Sequence, residues 1–308
     1  MPQDHEITIL KTITQSTCFM KLNTFLFAIL IIATLGSCTK DPADTGSGSI
    51  DAKVMNNEAY GTDPKQKMDI YLPANRSVTA TKVLILVHGG GWTQGDKAEF
   101  TPAIMDTLKK RLPDYAIFNI NYRLAAFPNN LFPTQEIDVK AAVEFIYGNR
   151  SSYLVSDKFV LMGASAGAHL SLLQAYKYRS TVKIKAVVDF FGPTDMVDLY
   201  NNPGIISPLA IAALMSGTPA TNPTLYQQSS PIQFVDAQNC PTIIIQGGLD
   251  PLVNATTQSL ALANKLTLFN VANEYVLYPT GGHGDDWSPA TFTDAYNKIQ
   301  AFLATHVQ

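Results

Sequence analysis

The sequence predicts an α/β fold with a mostly parallel central sheet of about eight strands, flanked by helices and carrying a small cap insertion. Three observations lead there. Short continuous apolar runs alternate with segments of helical spacing, the pattern of strand–helix–strand crossovers. Runs such as Val83-Leu-Ile-Leu-Val87 carry no polar face, as expected of strands covered on both sides. The alternation then breaks between Gly192 and Asp236, a long proline-rich interval of the kind that forms lids or loops over sites.

Taken in order, the first clear strand is Lys67-Met-Asp-Ile-Tyr-Leu72, alternating in polarity and ended by Pro73. Further strands read at 82–88, 115–121, 158–162, 184–190, 241–246 and 273–278, and helices at about 100–111, 134–147, 166–178, 255–268 and 290–305. Within the insertion, the apolar piece from Ile205 to Met215 has room for one or two short helices. A length of 308 residues suits one catalytic domain, expected over 54–308, after a leader and a linker.

The junction at the third helix carries chemistry. Gly163-Ala-Ser165-Ala-Gly167 lies between the apolar run ending at Met162 and the helix-forming stretch from Ala168, so the serine falls on a strand-to-helix turn. Such a turn strains the serine backbone and crowds its neighbours, which explains a glycine two residues to either side. A serine hydroxyl is a weak nucleophile at neutral pH. It needs a histidine to take its proton and a carboxylate to orient that histidine.

Both lie downstream. Asp250 follows the apolar run Pro241 to Gln246, which places it at the carboxyl edge of the sheet, where sites form in such folds. His283 sits on the glycine-rich loop Gly281-Gly-His-Gly284 after the last strand, free to reach between serine and aspartate. Asp195 also follows a strand, but it comes early in chain order and suits a helix cap. Among the other histidines, His169 falls one helical turn beyond Ser165 and is expected to pack beneath the turn, and His88 is expected to support a loop. Asp285 and Asp286 read as loop residues. The run His88-Gly-Gly-Gly-Trp92 ends a strand upstream of the serine; its glycines let backbone amides approach a developing oxyanion. The expected donors are the amides of Gly90, Gly91 and Ala166.

These segments together resemble the α/β-hydrolases of the hormone-sensitive-lipase and feruloyl-esterase-like (BD-FAE) type. The resemblance is carried by His88-Gly-Gly-Gly-Trp92, Asn121-Tyr-Arg-Leu124, Ser165-Ala-Gly-Ala-His-Leu170, Phe191-Gly-Pro-Thr-Asp195, Ser229-Ser-Pro-Ile-Gln-Phe-Val235 and Asp250-Pro-Leu-Val253, and it runs from about residue 65 to the end. Ala164 stands where the lipase branch has an acidic residue, which favours the carbohydrate-esterase branch, and Ala168 stands where glycine is common.

The resemblance implies an α/β-hydrolase fold and a serine carboxylesterase that cleaves acyl esters, acetyl or feruloyl groups on carbohydrate, through an acyl-enzyme. The same triad also suits an amide hydrolase of formamidase or peptidase type, or a short-chain lipid esterase. The expected catalytic residues are Ser165, Asp250 and His283. The insertion at about 192–236, Trp92 and the loop bearing Phe127 and Phe132 are expected to bind substrate. No metal or cofactor is expected. The net charge of −3 is spread without a basic patch, so no nucleic-acid partner is expected.

The leader adds a location. Met20-Lys21, the apolar stretch Leu22 to Leu35 and then Gly36-Ser-Cys38 have the three parts of a secretory signal. Leu35-Gly-Ser-Cys38 resembles a bacterial lipobox, which implies lipidation at Cys38 and an extracytoplasmic, outer-membrane-anchored enzyme whose translation starts near Met20. Residues 39–53, rich in Gly, Ser, Asp and Pro, read as a flexible linker. Cys240 stands alone in the body, so no disulfide framework is available there.

Overall fold

A computed structural model describes residues 49–308; the signal, Cys38 and most of the linker lie outside the described residues. Eight strands form one sheet in the order β1-β2-β4-β3-β5-β6-β7-β8. They are β1 Lys53–Ala59, β2 Lys67–Leu72, β3 Lys82–Val87, β4 Tyr115–Ile120, β5 Phe159–Ala164, β6 Ile184–Phe190, β7 Thr242–Gly247 and β8 Asn273–Tyr278. The β1–β2 and β2–β4 pairs are antiparallel and the remainder are parallel.

β1 departs from the sequence reading, which put its first residue at the end of a linker. Its residues are mostly exposed and alternate too little to signal a strand. They are held instead by pairing with β2, and just upstream Ile50 O and Asp51 O accept from Asn75 N and Arg76 Nη1 at 2.7 and 2.6 Å. The domain therefore begins a few residues before 54.

Period-two alternation in the parallel strands feeds two cores. Val83, Ile85 and Val87 of β3, with Phe159 and Leu161 of β5, point into the layer covered by α2 (Thr134–Gly148), α4 (Ala166–Lys177) and α8 (Ala261–Leu268). Leu84 and Leu86, with Val160 and Met162, face α1 (Pro102–Arg111) and α9 (Pro289–His306). Their ends are set by local chemistry: Thr101 caps α1 and Ser288 caps α9, each followed by proline at the first helical position. A short helix, α3 (Arg150–Tyr153), follows α2. The segment expected as one helix at 255–268 starts instead as a π-helical turn, Ala255–Leu260, capped by Asn254, before α8.

The insertion contains three short α-helices, α5 Met196–Asn201, α6 Pro208–Leu214 and α7 Pro223–Gln228, and a 3₁₀ turn at Pro231–Phe234. Only α6 falls in the piece where helix was expected. Asp195 caps α5 by accepting from the amides of Val197 and Asp198.

Candidate active site

Ser165 occupies the turn between β5 and α4 with φ 54° and ψ −122°, a conformation that ordinary residues avoid. Surrounding backbone holds it there: Ser165 N donates to Phe190 O at 2.8 Å and His169 N donates to Ser165 O at 3.0 Å. A Cβ at Gly167 would overlap the carbonyl oxygens of Val87 and His88, and one at Gly163 would overlap the backbone of Gly167 and Ala168. The two glycines are thus required by the close passage of α4 over β3 and β5.

Asp250 and His283, 33 residues apart, meet at the carboxyl edge of β7 and β8. His283 Nδ1 lies 2.7 Å from Asp250 Oδ2, and because an ionised carboxylate can only accept, the ring donates. The other oxygen, Oδ1, accepts from the amides of Leu252 and Val253 at 2.8 and 2.9 Å, and Gln246 Nε2 donates to Oδ2 at 3.0 Å. Burial would raise the Asp250 carboxyl pKa, but the His283 bond and charge and the two amides outweigh it and hold it below the usual range. The carboxylate is therefore ionised and fixes the ring tautomer with Nε2 free. Nε2 is buried and has no protein partner, and His283 and Ser165 line the same cavity. No Ser165–His283 hydrogen bond is formed.

The His283 loop is shaped by residues that the sequence did not single out for this role. The Phe191 ring lies 4.4 Å from the His283 ring and 5.6 Å from that of Trp287, whose indole donates to Gly282 O at 3.1 Å. Asp286 accepts from Gly282 N at 2.9 Å, a loop-holding role. A lone glutamine ending an otherwise apolar strand was the available signal for Gln246.

The loop after β3 has three successive residues of positive φ: Gly90 at 94°, Gly91 at 57° and Trp92 at 62°. Among the described residues the amides of Gly90, Gly91 and Ala166 donate to no protein acceptor, as groups reserved for a ligand would. Tyr122 supports this loop: its ring stacks on His88 at 4.3 Å, and its hydroxyl donates to His88 O at 3.1 Å and Gly89 O at 2.9 Å. Burial lowers the His88 pKa, opposed by its bond to Gly89 O, so His88 stays neutral within the scaffold. Arg123 anchors the same segment to α2 through the buried Asp138 at 2.6 Å.

The cavity measures about 810 Å³. Ser165, His283, Trp92 and the glycine loop line it, with Phe100, Ile104, Phe190, Phe292 and Tyr296 from one core and Ile206, Ile211 and Leu214 from the insertion and the other core. Two residues expected to bind substrate lie off this cavity. Phe127 is 74% exposed and lines no part of the cavity, and Phe132 is buried against His169, with ring centroids 5.6 Å apart, so neither contributes a wall. The insertion, expected beside their loop, does line the cavity, and α9 adds Phe292 and Tyr296, which the sequence did not single out. Among the described residues no cluster of metal-ligating side chains occurs and no helix is long and apolar enough to cross a membrane.

A BD-FAE family model matches residues 68–266. Esterase LipC of Mycobacterium tuberculosis is 27% identical over 241 residues, 74% of this chain and 59% of its own length. The chain thus spans little more than half of that relative. Among solved structures, a truncated form of a carbohydrate esterase from gut microbiota aligns with a TM-score of 0.70 at 26% identity, over 83% of this chain and 96% of that one. A bifunctional GH43-CE protein of Bacteroides eggerthii aligns at 0.71 and 26%, over 83% of this chain and 35% of the larger protein. With the family model covering most of the folded domain and an eight-stranded, mostly parallel sheet flanked by helices, the chain belongs to the BD-FAE family of α/β-hydrolases.

Proposed function

We propose that the protein is a serine carboxylesterase acting on acyl esters borne by carbohydrate, through an acyl-enzyme intermediate. The observation that carries this reading is the 2.7 Å His283–Asp250 hydrogen bond, with the opposite ring nitrogen unpartnered beside the cavity that Ser165 lines. Ser165 Oγ attacks the ester carbonyl as His283 Nε2 takes its proton, and Asp250 stabilises the imidazolium. The carbonyl oxygen, now negative, is received by the amides of Gly90, Gly91 and Ala166. Collapse expels the alcohol, protonated by His283, and leaves acyl-Ser165. A water deprotonated by His283 then releases the acid and restores the serine.

The carbohydrate assignment is supported by the carbohydrate-esterase neighbours. A second reading, an esterase for lipid-like acyl chains, is favoured by the apolar side chains along the cavity, since such a wall desolvates a hydrocarbon acyl group better than a bare acetyl. One panel separates them: acetylated and feruloylated xylan fragments beside p-nitrophenyl esters of rising chain length. Preference for the xylan fragments supports the first reading; turnover confined to longer free acyl esters overturns it. Activity that persists in Ser165→Ala overturns both. The enzyme also acts from a membrane anchor: lipidation of Cys38 is supported by the Leu35-Gly-Ser-Cys38 sequence, and mass spectrometry of the mature terminus tests it. An unmodified residue other than Cys38 at that terminus rules the anchor out.

A further inference from the structure

Trp92 is the last of the three successive positive-φ residues in the oxyanion loop, and the only one with a side chain. A bulky residue leaves that region unless its surroundings hold it. Its carbonyl accepts from Ala125 N at 2.9 Å, and its indole Nε1 donates to His169 Nδ1 at 3.1 Å, with the two rings edge to face at 5.1 Å. His169 is fully buried. Its Nε2 donates to Ser229 O at 2.7 Å, so both ring nitrogens are used and one neutral tautomer is specified. Phe132 closes a further side of the ring.

This histidine therefore touches three parts of the site. It stands one turn beyond the nucleophile, and its own amide donates to Ser165 O at 3.0 Å. Its Nδ1 holds the residue that follows Gly90 and Gly91. Its Nε2–H holds the segment leading from the cap insertion towards β7, which ends near Asp250. The Ala166 amide belongs to the same helix as His169, whereas the Gly90 and Gly91 amides belong to a different loop. Something must keep the two sets at a fixed separation if they are to share one oxygen.

We propose that His169 is a positioning residue that fixes the Gly90–Gly91 amides relative to Ser165 and Ala166 by gripping the Trp92 indole. The proposal rests on the serine esterase reading. Donors aimed at an oxyanion act mainly on the transition state, so loosening them lowers kcat more than it raises KM.

The test uses the full chain with His169→Phe, His169→Gln, Trp92→Phe and the His169→Phe/Trp92→Phe double variant, each confirmed folded by thermal melting and assayed on p-nitrophenyl butyrate. A displacement of about 1 Å in catalytic donors costs on the order of 100-fold, so His169→Phe should lose about 10- to 100-fold in kcat. Its KM should move less than about threefold. Gln, which can still accept from the indole and donate to Ser229 O, should recover most of the loss and remains informative where Phe does not fold. Because both single variants cut the same indole–imidazole contact, and His169→Phe also loses the bond to Ser229 O, the double variant should be no slower than the slower single.

The chain has two tryptophans, so ¹H–¹⁵N spectra show two indole signals. The Trp92 signal should be slow to exchange in the wild type and fast in His169→Phe. A folded His169→Phe with wild-type kcat, multiplied losses in the double variant, or unchanged indole exchange overturns the proposal alone. Hydrolysis that survives Ser165→Ala overturns the serine reading and this proposal with it.

Discussion

His283 and Asp250 are joined at 2.7 Å through Nδ1 and Oδ2, and the carboxylate is itself held by two backbone amides and Gln246, so the ring is oriented from behind before any substrate arrives. Asp250→Asn keeps the shape but reverses the hydrogen-bond demand, turning the ring to the wrong tautomer. Turnover of p-nitrophenyl acetate should fall about 10³- to 10⁴-fold. Asp195→Asn, at the α5 cap, should leave turnover near wild type and cost about 1 kcal/mol or less of stability. The opposite ranking in steady-state assays would move the acid to Asp195.

Ser165 stores strain at φ 54° and ψ −122°. Strain of this kind costs about 1–3 kcal/mol, and glycine relieves it at an entropic cost of about 0.5–1 kcal/mol. Ser165→Gly should therefore be inactive yet melt a few degrees higher than the wild type. Ser165→Ala should be inactive with little change in melting temperature, so calorimetry on the pair separates backbone strain from loss of the hydroxyl.

Gly167→Ala places a methyl group against the carbonyl oxygens of Val87 and His88, which belong to β3 and the loop after it. Neither can retreat without breaking the sheet. Urea unfolding should show a loss of about 3 kcal/mol, at the upper end for overpacking. A stability equal to wild type would mean that α4 does not pass this closely over β3.

Two buried groups give stability opposite pH dependences. Burial raises the Asp189 carboxyl to about 7, opposed by its bond from Gly192 N, and its second oxygen has no partner. Between about 4 and 7 the folded state keeps a proton that the unfolded chain, with a carboxyl pKa of about 3.9, has lost, so stability falls as pH rises through that window. Burial lowers His169 to about 4, while its bond to Ser229 O opposes the shift. Here the unfolded chain, with a histidine pKa of about 6.5, takes up a proton that the folded state refuses, so stability is full above about 6.5 and falls towards pH 4. Asp250, depressed, adds stability that is lost only as pH falls below the ordinary carboxylate range. Asp189→Asn removes the first effect. Its melting temperature relative to wild type should rise from pH 5 to pH 8, and its own curve should drop more steeply in acid. A constant difference across that range would show that Asp189 does not titrate in the folded state.

Much of this architecture was readable from local signals. The strand–serine–helix junction, the acid just past β7 and the histidine on the last glycine loop each announce themselves within about ten residues, because a strained turn, a strand end and a close backbone approach impose their own residue types. Caps moved the ends of α1 and α9 by a residue or two. Asp189 and Gln246, polar residues that each follow an apolar run within a strand, were visible as exceptions, but their partners were not.

What the sequence determined by itself was the order of elements and the identity of Ser165, Asp250 and His283 as candidates, since periodicity and turn chemistry act between near neighbours. Only the tertiary structure decided that β1 joins the sheet, that Phe127 and Phe132 stand away from the cavity while Ile206, Leu214 and Phe292 wall it, and that the Trp92 indole bonds to His169 on α4. Those outcomes depend on which surfaces meet after the chain has crossed the sheet, and packing between distant segments leaves no periodic trace along either one.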